Sequence, residues 1–190
     1  MSAQRTGNGR VNALKPGKEL SARVEGRSAA SPETVYDLLA DLRTHATWGG
    51  ERQKKNTRIV SIVAPEGPAS VGTEFDTTGA DPMGTFRDRS VVTEASRPSV
   101  FEFVTEAGLE TKKGKRSGWT VIHRYELSAE GDGCHIAYSL RITRVSDLVG
   151  MLGLFNVPIL SGLAMKASEG VARRGVRNLA QMAEERASAR

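Results

Sequence analysis

The spacing of apolar and polar positions changes character three times along the chain. Residues 18–30 read as a strand. Ser31, Pro32 and Glu33 then supply a serine N-cap, a proline at the first helical position and an acid in the first turn. Val35, Leu38, Leu39 and Leu42 follow at helical spacing, and the run from His45 through Trp48 to Gly49 and Gly50 closes that short helix. From there the period is two. Strands are predicted over 58–64, 72–78, 85–94, 100–106, 118–127 and 134–143, separated by Pro/Gly/Asp turns such as Pro65 to Pro68 and Glu130 to Gly133. Trp119, Val121, His123, Tyr125 and Leu127 share one face of their strand, as do Ile136, Tyr138, Leu140 and Ile142 on the next. Both faces are expected to point inward.

The last element is again helical, from a point after Pro158 to about residue 187. Leu160, Ala164, Ala167, Val171, Leu179 and Met182 form its apolar stripe. Strand, short helix, six strands and long helix make an α+β arrangement, in which short connections favour antiparallel neighbours and a curved sheet wraps the terminal helix. Residues 1–17 lack apolar periodicity and are expected to be a disordered tail, with residues 18–188 forming one domain.

Composition narrows the function classes. The chain has 190 residues, 38% of them hydrophobic, enough for one domain with a real core. Its single cysteine, Cys134, excludes an intrachain disulfide, and its three histidines are scattered, so no zinc module and no metal or other cofactor is expected. The net charge of +5 comes from separate basic clusters, among them Lys112, Lys113, Lys115 and Arg116, with no aromatic residues interleaved. A solvated basic surface is expected rather than specific nucleic-acid binding. No apolar leader stands at the N-terminus, so a cytoplasmic location is expected.

The features from Ser31 through Asp41 to Trp48, then Val91 to Glu94 before Pro98, Phe101 to Phe103, Tyr125 to Leu127, Cys134 to Ile136 and Asn178 to Glu184 resemble the START-like, or SRPBCC, superfamily and its polyketide cyclase/dehydrase branch. The resemblance implies a helix-grip fold, with a hydrophobic cavity between the cupped sheet and its helix. Small residues through the middle of the long helix, Ala164, Ala167, Ser168, Gly170, Ala172 and Gly175, independently remove volume where a solid core would take leucine.

With these faces inward, the cavity is expected to draw polar atoms from His123, Tyr125, Tyr138 and Trp119, with Tyr36 and Trp48 near its mouth. Such rings suit a largely apolar ligand with ketone or hydroxyl groups. Apolar lining is expected from Phe101, Phe103, Val121, Leu140, Leu154, Phe155, Leu160, Leu163 and Ala167. As an enzyme, the protein would use His123 for proton transfer in aldol cyclisation or dehydration and Tyr125 to polarise a carbonyl. Glu102 and Glu106 fall on the opposite strand face from Phe101 and Phe103, which rejects a carboxylate pair. Cys134 reads as an inert thiol, and His45, close to Trp48, as a capping or surface residue ahead of a contact at the pocket mouth.

The leading expectation is binding, or transport, of a lipid, polyketide or isoprenoid-like molecule. Catalytic cyclisation and a chaperone-linked interaction domain are the alternatives. The uncharged run 148–165 reaches the roughly 18-residue threshold of a spanning helix, but Gly150, Gly153, Asn156, Pro158, Ser161 and Gly162 argue against spanning. A gate over the cavity is its favoured role, ahead of peripheral membrane contact and of a dimer interface, so monomer and homodimer both stay open.

Overall fold

The computed structural model describes residues 11–13, 19–53, 57–114, 116–146 and 158–189, with the side chains at 11–13, 145–146 and 158–165 left out. Its elements are β1 (Val11–Ala13), β2 (Leu20–Ser28), α1 (Pro32–Ala40), α2 (His45–Trp48), β3 (Arg58–Val63), β4 (Glu74–Asp81), β5 (Gly84–Ser96), β6 (Val100–Thr111), β7 (Arg116–Glu130), β8 (Gly133–Ser146) and α3 (Pro158–Ser188). Every described pairing is antiparallel, in the order β1-β8-β7-β6-β5-β4-β3, with β2 also paired to β8. The α+β reading holds, as a curved antiparallel sheet against a long C-terminal helix.

Several strand boundaries differ from the periodic reading, two of them in ways that bear on the site. Val11–Ala13, expected in the tail, pairs with Arg144–Ser146 at the far end of β8. The strand beginning at Val100 continues through Gly108 to Thr111 rather than ending near Glu106. Gly108 looks like a breaker in sequence, yet it keeps its place opposite Arg87, and its N–H donates to the Asp88 carboxylate at 3.2 Å.

Local chemistry sets the entry into α1. The Ser31 side chain accepts the Thr34 N–H, Pro32 occupies the first turn, and Glu33 lies at the positive end of the helix dipole. The helix buries Val35, Leu38 and Leu39 over Phe101, Ile136 and Leu179, all nearly free of solvent contact. At the other end, polar contacts fix α2 and the turn after it. The Asn178 side-chain amide donates to the Trp48 carbonyl at 3.0 Å, Gln53 donates to the Val171 carbonyl at 3.3 Å, and Arg174 donates to Gln53. Gly26 lets α3 close on β2, because a Cβ there would stand 2.5 Å from the Val176 side chain.

Candidate functional site

Between the sheet and α3 lies a hollow with two adjoining lobes, of about 300 and 210 Å³, that share Thr57, Phe86, Asp88, Thr105 and His123 as lining. The larger lobe is mainly apolar, with Leu20, Leu109, Trp119, Val121 and Ile142 in its wall. The smaller is aromatic, formed by Trp48, Phe75, Phe103, Tyr125 and Tyr138.

The site is built by strand alternation. Inward positions of β7 carry Trp119, Val121, His123 and Tyr125, and those of β5 carry Phe86, Asp88 and Ser90. Phe86 lies across Gly79 of β4, its register partner, where a side chain would collide with the ring. From α3 the lining residues are Ser168, Val171, Ala172 and Gly175, spaced for one helical face.

Of the expected ligand contacts, Trp48, Phe103, Trp119, Val121, His123, Tyr125 and Tyr138 line the hollow. Three do not. Phe101 is fully buried beneath α1 and meets Tyr36 edge to face at 5.9 Å, which also takes Tyr36 away from the mouth. Leu140 belongs to the packed core. Ala167 is exposed, because the roughly 100° turn per helical residue brings Ser168, not Ala167, onto the inward face. Leu154 and Phe155 lie outside the described residues, as do the side chains of Leu160 and Leu163, so the gate segment falls there too.

The surface or capping role expected for His45 is corrected, and the residue lines the smaller lobe. It is buried, its Nε2 lies 2.8 Å from the Leu39 carbonyl, and its ring tilts against Trp48 with centroids 4.6 Å apart. Burial lowers its pKa to about 4.

His123 stacks on Phe103 at 4.7 Å, and its Nδ1 shares a 2.7 Å hydrogen bond with the Tyr138 hydroxyl. Desolvation, assisted by His45, lowers its pKa to about 4. The imidazole is therefore neutral at pH 7 and does not supply both protonation states there, as an unperturbed histidine would.

Tyr125 is buried, with its pKa pushed well above the usual phenol range by desolvation, so it keeps its proton. Its hydroxyl has no hydrogen-bond partner among the described residues. The Trp48 indole N–H, also buried, has none either. The smaller lobe is thus walled by a buried unmatched donor, where donors normally find acceptors.

Asp88 is the residue missed by periodicity and motif reading. Burial raises its pKa to about 7, against the lowering effect of the Gly108 N–H. The alternation of Phe86, Asp88, Ser90 and Val92 against Arg87 and Arg89 is the signal in the sequence that matches its inward position, and it went unused. Cys134 is buried and its thiol pushed up to about 11, consistent with inert packing. Among the described residues no group of three His, Cys, Asp or Glu side chains could hold a metal ion, and no helix is long and apolar enough to cross a membrane.

A curved antiparallel sheet closed by a long helix around a hollow defines the helix-grip class. The chain belongs to the family described as polyketide cyclase/dehydrase and lipid transport, which it matches over residues 19–184, within the START-like superfamily. Solved structures share this fold at low identity. An uncharacterised protein from Rhizobium leguminosarum is 12% identical with a TM-score of 0.65, over 92% of this chain and 98% of its own. The ginseng major latex-like protein 151 from Panax ginseng is 9% identical with a TM-score of 0.57, over 87% and 98%. The di-domain ARO/CYC StfQ of the steffimycin biosynthetic pathway is 13% identical with a TM-score of 0.60, over 90% of this chain and 52% of that one. None of the curated proteins matches.

Proposed function

We propose that this is a cytoplasmic protein that binds, and carries, an apolar small molecule bearing at least one acceptor oxygen, such as a lipid, polyketide or isoprenoid. The observation that supports it most is the buried, unmatched Trp48 indole N–H at an aromatic lobe of about 210 Å³ that the Tyr125 side chain also lines. A buried donor without a partner costs on the order of 1–3 kcal/mol, which a ligand carbonyl or hydroxyl would recover on binding. The adjoining apolar lobe would take the rest of the molecule.

Native mass spectrometry of protein purified under mild conditions tests this reading, with organic extraction to identify what is retained. An extractable apolar compound in stoichiometric amount is the expected result. Purified protein that carries no compound, and that binds no ketone- or hydroxyl-bearing apolar probe by calorimetry, would overturn it.

A second reading, cyclase or dehydrase, draws on the neutral His123 imidazole beside Tyr138 together with the Tyr125 donor. A neutral imidazole accepts a proton from carbon next to a ketone, while Tyr125 holds the developing oxyanion. On this reading His123→Ala and Tyr125→Phe each lower kcat by about 100-fold or more with ligand affinity nearly unchanged. Carriage without turnover predicts altered affinity alone.

A further inference from the structure

Two carboxylates line the larger lobe, and their partners differ. Both oxygens of Asp81 are committed: Oδ2 accepts the Thr57 hydroxyl at 2.5 Å and Oδ1 accepts the Met83 N–H at 2.9 Å. Asp88 accepts one bond, from Gly108 N–H to Oδ1, and among the described residues no other group satisfies it and no cation pairs with it. Its neighbour in register on β6 is Ala107, too small to cover the carboxyl, and Asp88 stands where the two lobes meet. Aromatic side chains surround this junction, with Phe86 shared by both lobes, Phe103 and Tyr125 on one side and Trp119 on the other.

A carboxyl with no paired cation among the described residues, beside several π faces, is the arrangement that recognises an organic cation, since the carboxylate supplies the counter-charge and the rings attract the rest of the charged group. Building on the cavity reading above, we propose that Asp88 selects an apolar ligand carrying a basic nitrogen, seated between the two lobes, and excludes anionic molecules such as fatty acids. Titratable and charged groups facing this space are Arg58 from β3, Asp81 from β4, His123 and Tyr125 from β7, Tyr138 from β8 and His45 from α2. The two histidines are neutral at pH 7 and the two tyrosines keep their protons, while Arg58 is exposed. Asp88 is then the inward group whose charge changes near neutrality, from the neutral acid below about pH 7 to the carboxylate above it.

Calorimetry on the full chain with decylamine, decan-1-ol and decanoate, below their micelle-forming concentrations, tests the proposal. At pH 8 decylamine binds at least about tenfold more tightly than decan-1-ol, and decanoate binds weakest. Decylamine affinity rises about tenfold from pH 6 to pH 8 while that of the alcohol stays flat, because the amine binds the ionised form of Asp88. Asp88→Asn, confirmed as folded by thermal melting, loses the preference for the amine over the alcohol. If that variant does not fold, the pH series on the unmodified chain decides. Equal affinity for amine and alcohol at pH 8, or an amine preference that survives Asp88→Asn, overturns the selectivity and leaves the cavity reading standing. Failure of all three probes to bind overturns both.

Discussion

The same strands that make a solid core beneath α1 make a hollow at their other end, and the difference is one of side-chain volume along a shared face. On β6 the inward series runs Phe101, Phe103, Thr105, Ala107; on β5 it runs Val92, Ser90, Asp88. Their register sets Phe103 opposite Val92, Thr105 opposite Ser90 and Ala107 opposite Asp88, so two small or polar rows stand between the Phe103 and Val92 row and the large Leu109 and Phe86 row on the same two strands. α3 is small over the hollow as well, with Gly175, Ala172 and Ser168 facing it, while Leu179 packs solidly at the closed end. Close packing is general in protein interiors, so a coordinated loss of volume across three elements builds a space rather than a scatter of defects.

Substitutions at the two ends should therefore behave differently. The largest effect is expected at the closed end. Phe101→Ala leaves a void that α1 cannot collapse into and lowers stability by about 3–5 kcal/mol in chemical denaturation. At the open end Ala107→Leu adds volume where there is space, changing stability by less than about 1.5 kcal/mol while reducing affinity for any ligand in the larger lobe. A destabilisation by Ala107→Leu as large as that of Phe101→Ala would show that this end is solid as well.

The pH response of the groups lining the hollow comes next. His45 and His123 have folded pKa values of about 4, below the ordinary 6.5, so the unfolded chain binds more protons between those values and stability falls as pH drops through that window. Asp88, raised from 3.8 to about 7, acts with the opposite sign, lowering stability as pH rises from about 4 to 7. Each group contributes at most about 1.4 kcal/mol per pH unit, less where the hollow admits water. Asp88→Asn removes the opposing contribution, so the loss of stability between pH 6.5 and 4 becomes steeper, and the protein gains stability at pH 8. Thermal melts of the two proteins across this range measure both effects.

The smallest effect is expected at Gly175. A methyl group there would meet Gln53 at 3.6 Å and Trp48 at 3.8 Å, ordinary contact distances, and alanine favours the helix. Gly175→Ala should stabilise by about 0.5–1 kcal/mol, seen as a modest rise in Tm, while slightly narrowing the smaller lobe.

Much of the framework was legible because it rests on local rules. The Ser31, Pro32 and Glu33 start of α1, the inward face of β7 and the outward placing of Glu102 and Glu106 all follow from capping and period-two alternation, which act within a few residues. The site was legible in part. His123, Tyr125, Tyr138, Phe103 and Trp48 were found because aromatic residues on an inward face stand out. Asp88 was missed because a carboxylate among Arg87 and Arg89 looks like part of a solvated strand until its parity is followed, and His45 because nothing near it in sequence announces burial. Ala167 and Ser168 differ by one helical step, a rotation that sequence spacing alone does not resolve.

The order of the elements, their periodicities and the set of inward residues on each strand were determined by the chain itself, because backbone geometry carries side-chain direction along every element. Which inward residues pack solidly and which border a space was decided only by the tertiary structure. That outcome depends on how rows from β5, β6, β7 and α3 align across the fold. Alignment between elements distant in sequence is set by long-range pairing, such as Phe103 with Val92 on one side and His123 on the other, and local pattern does not record it.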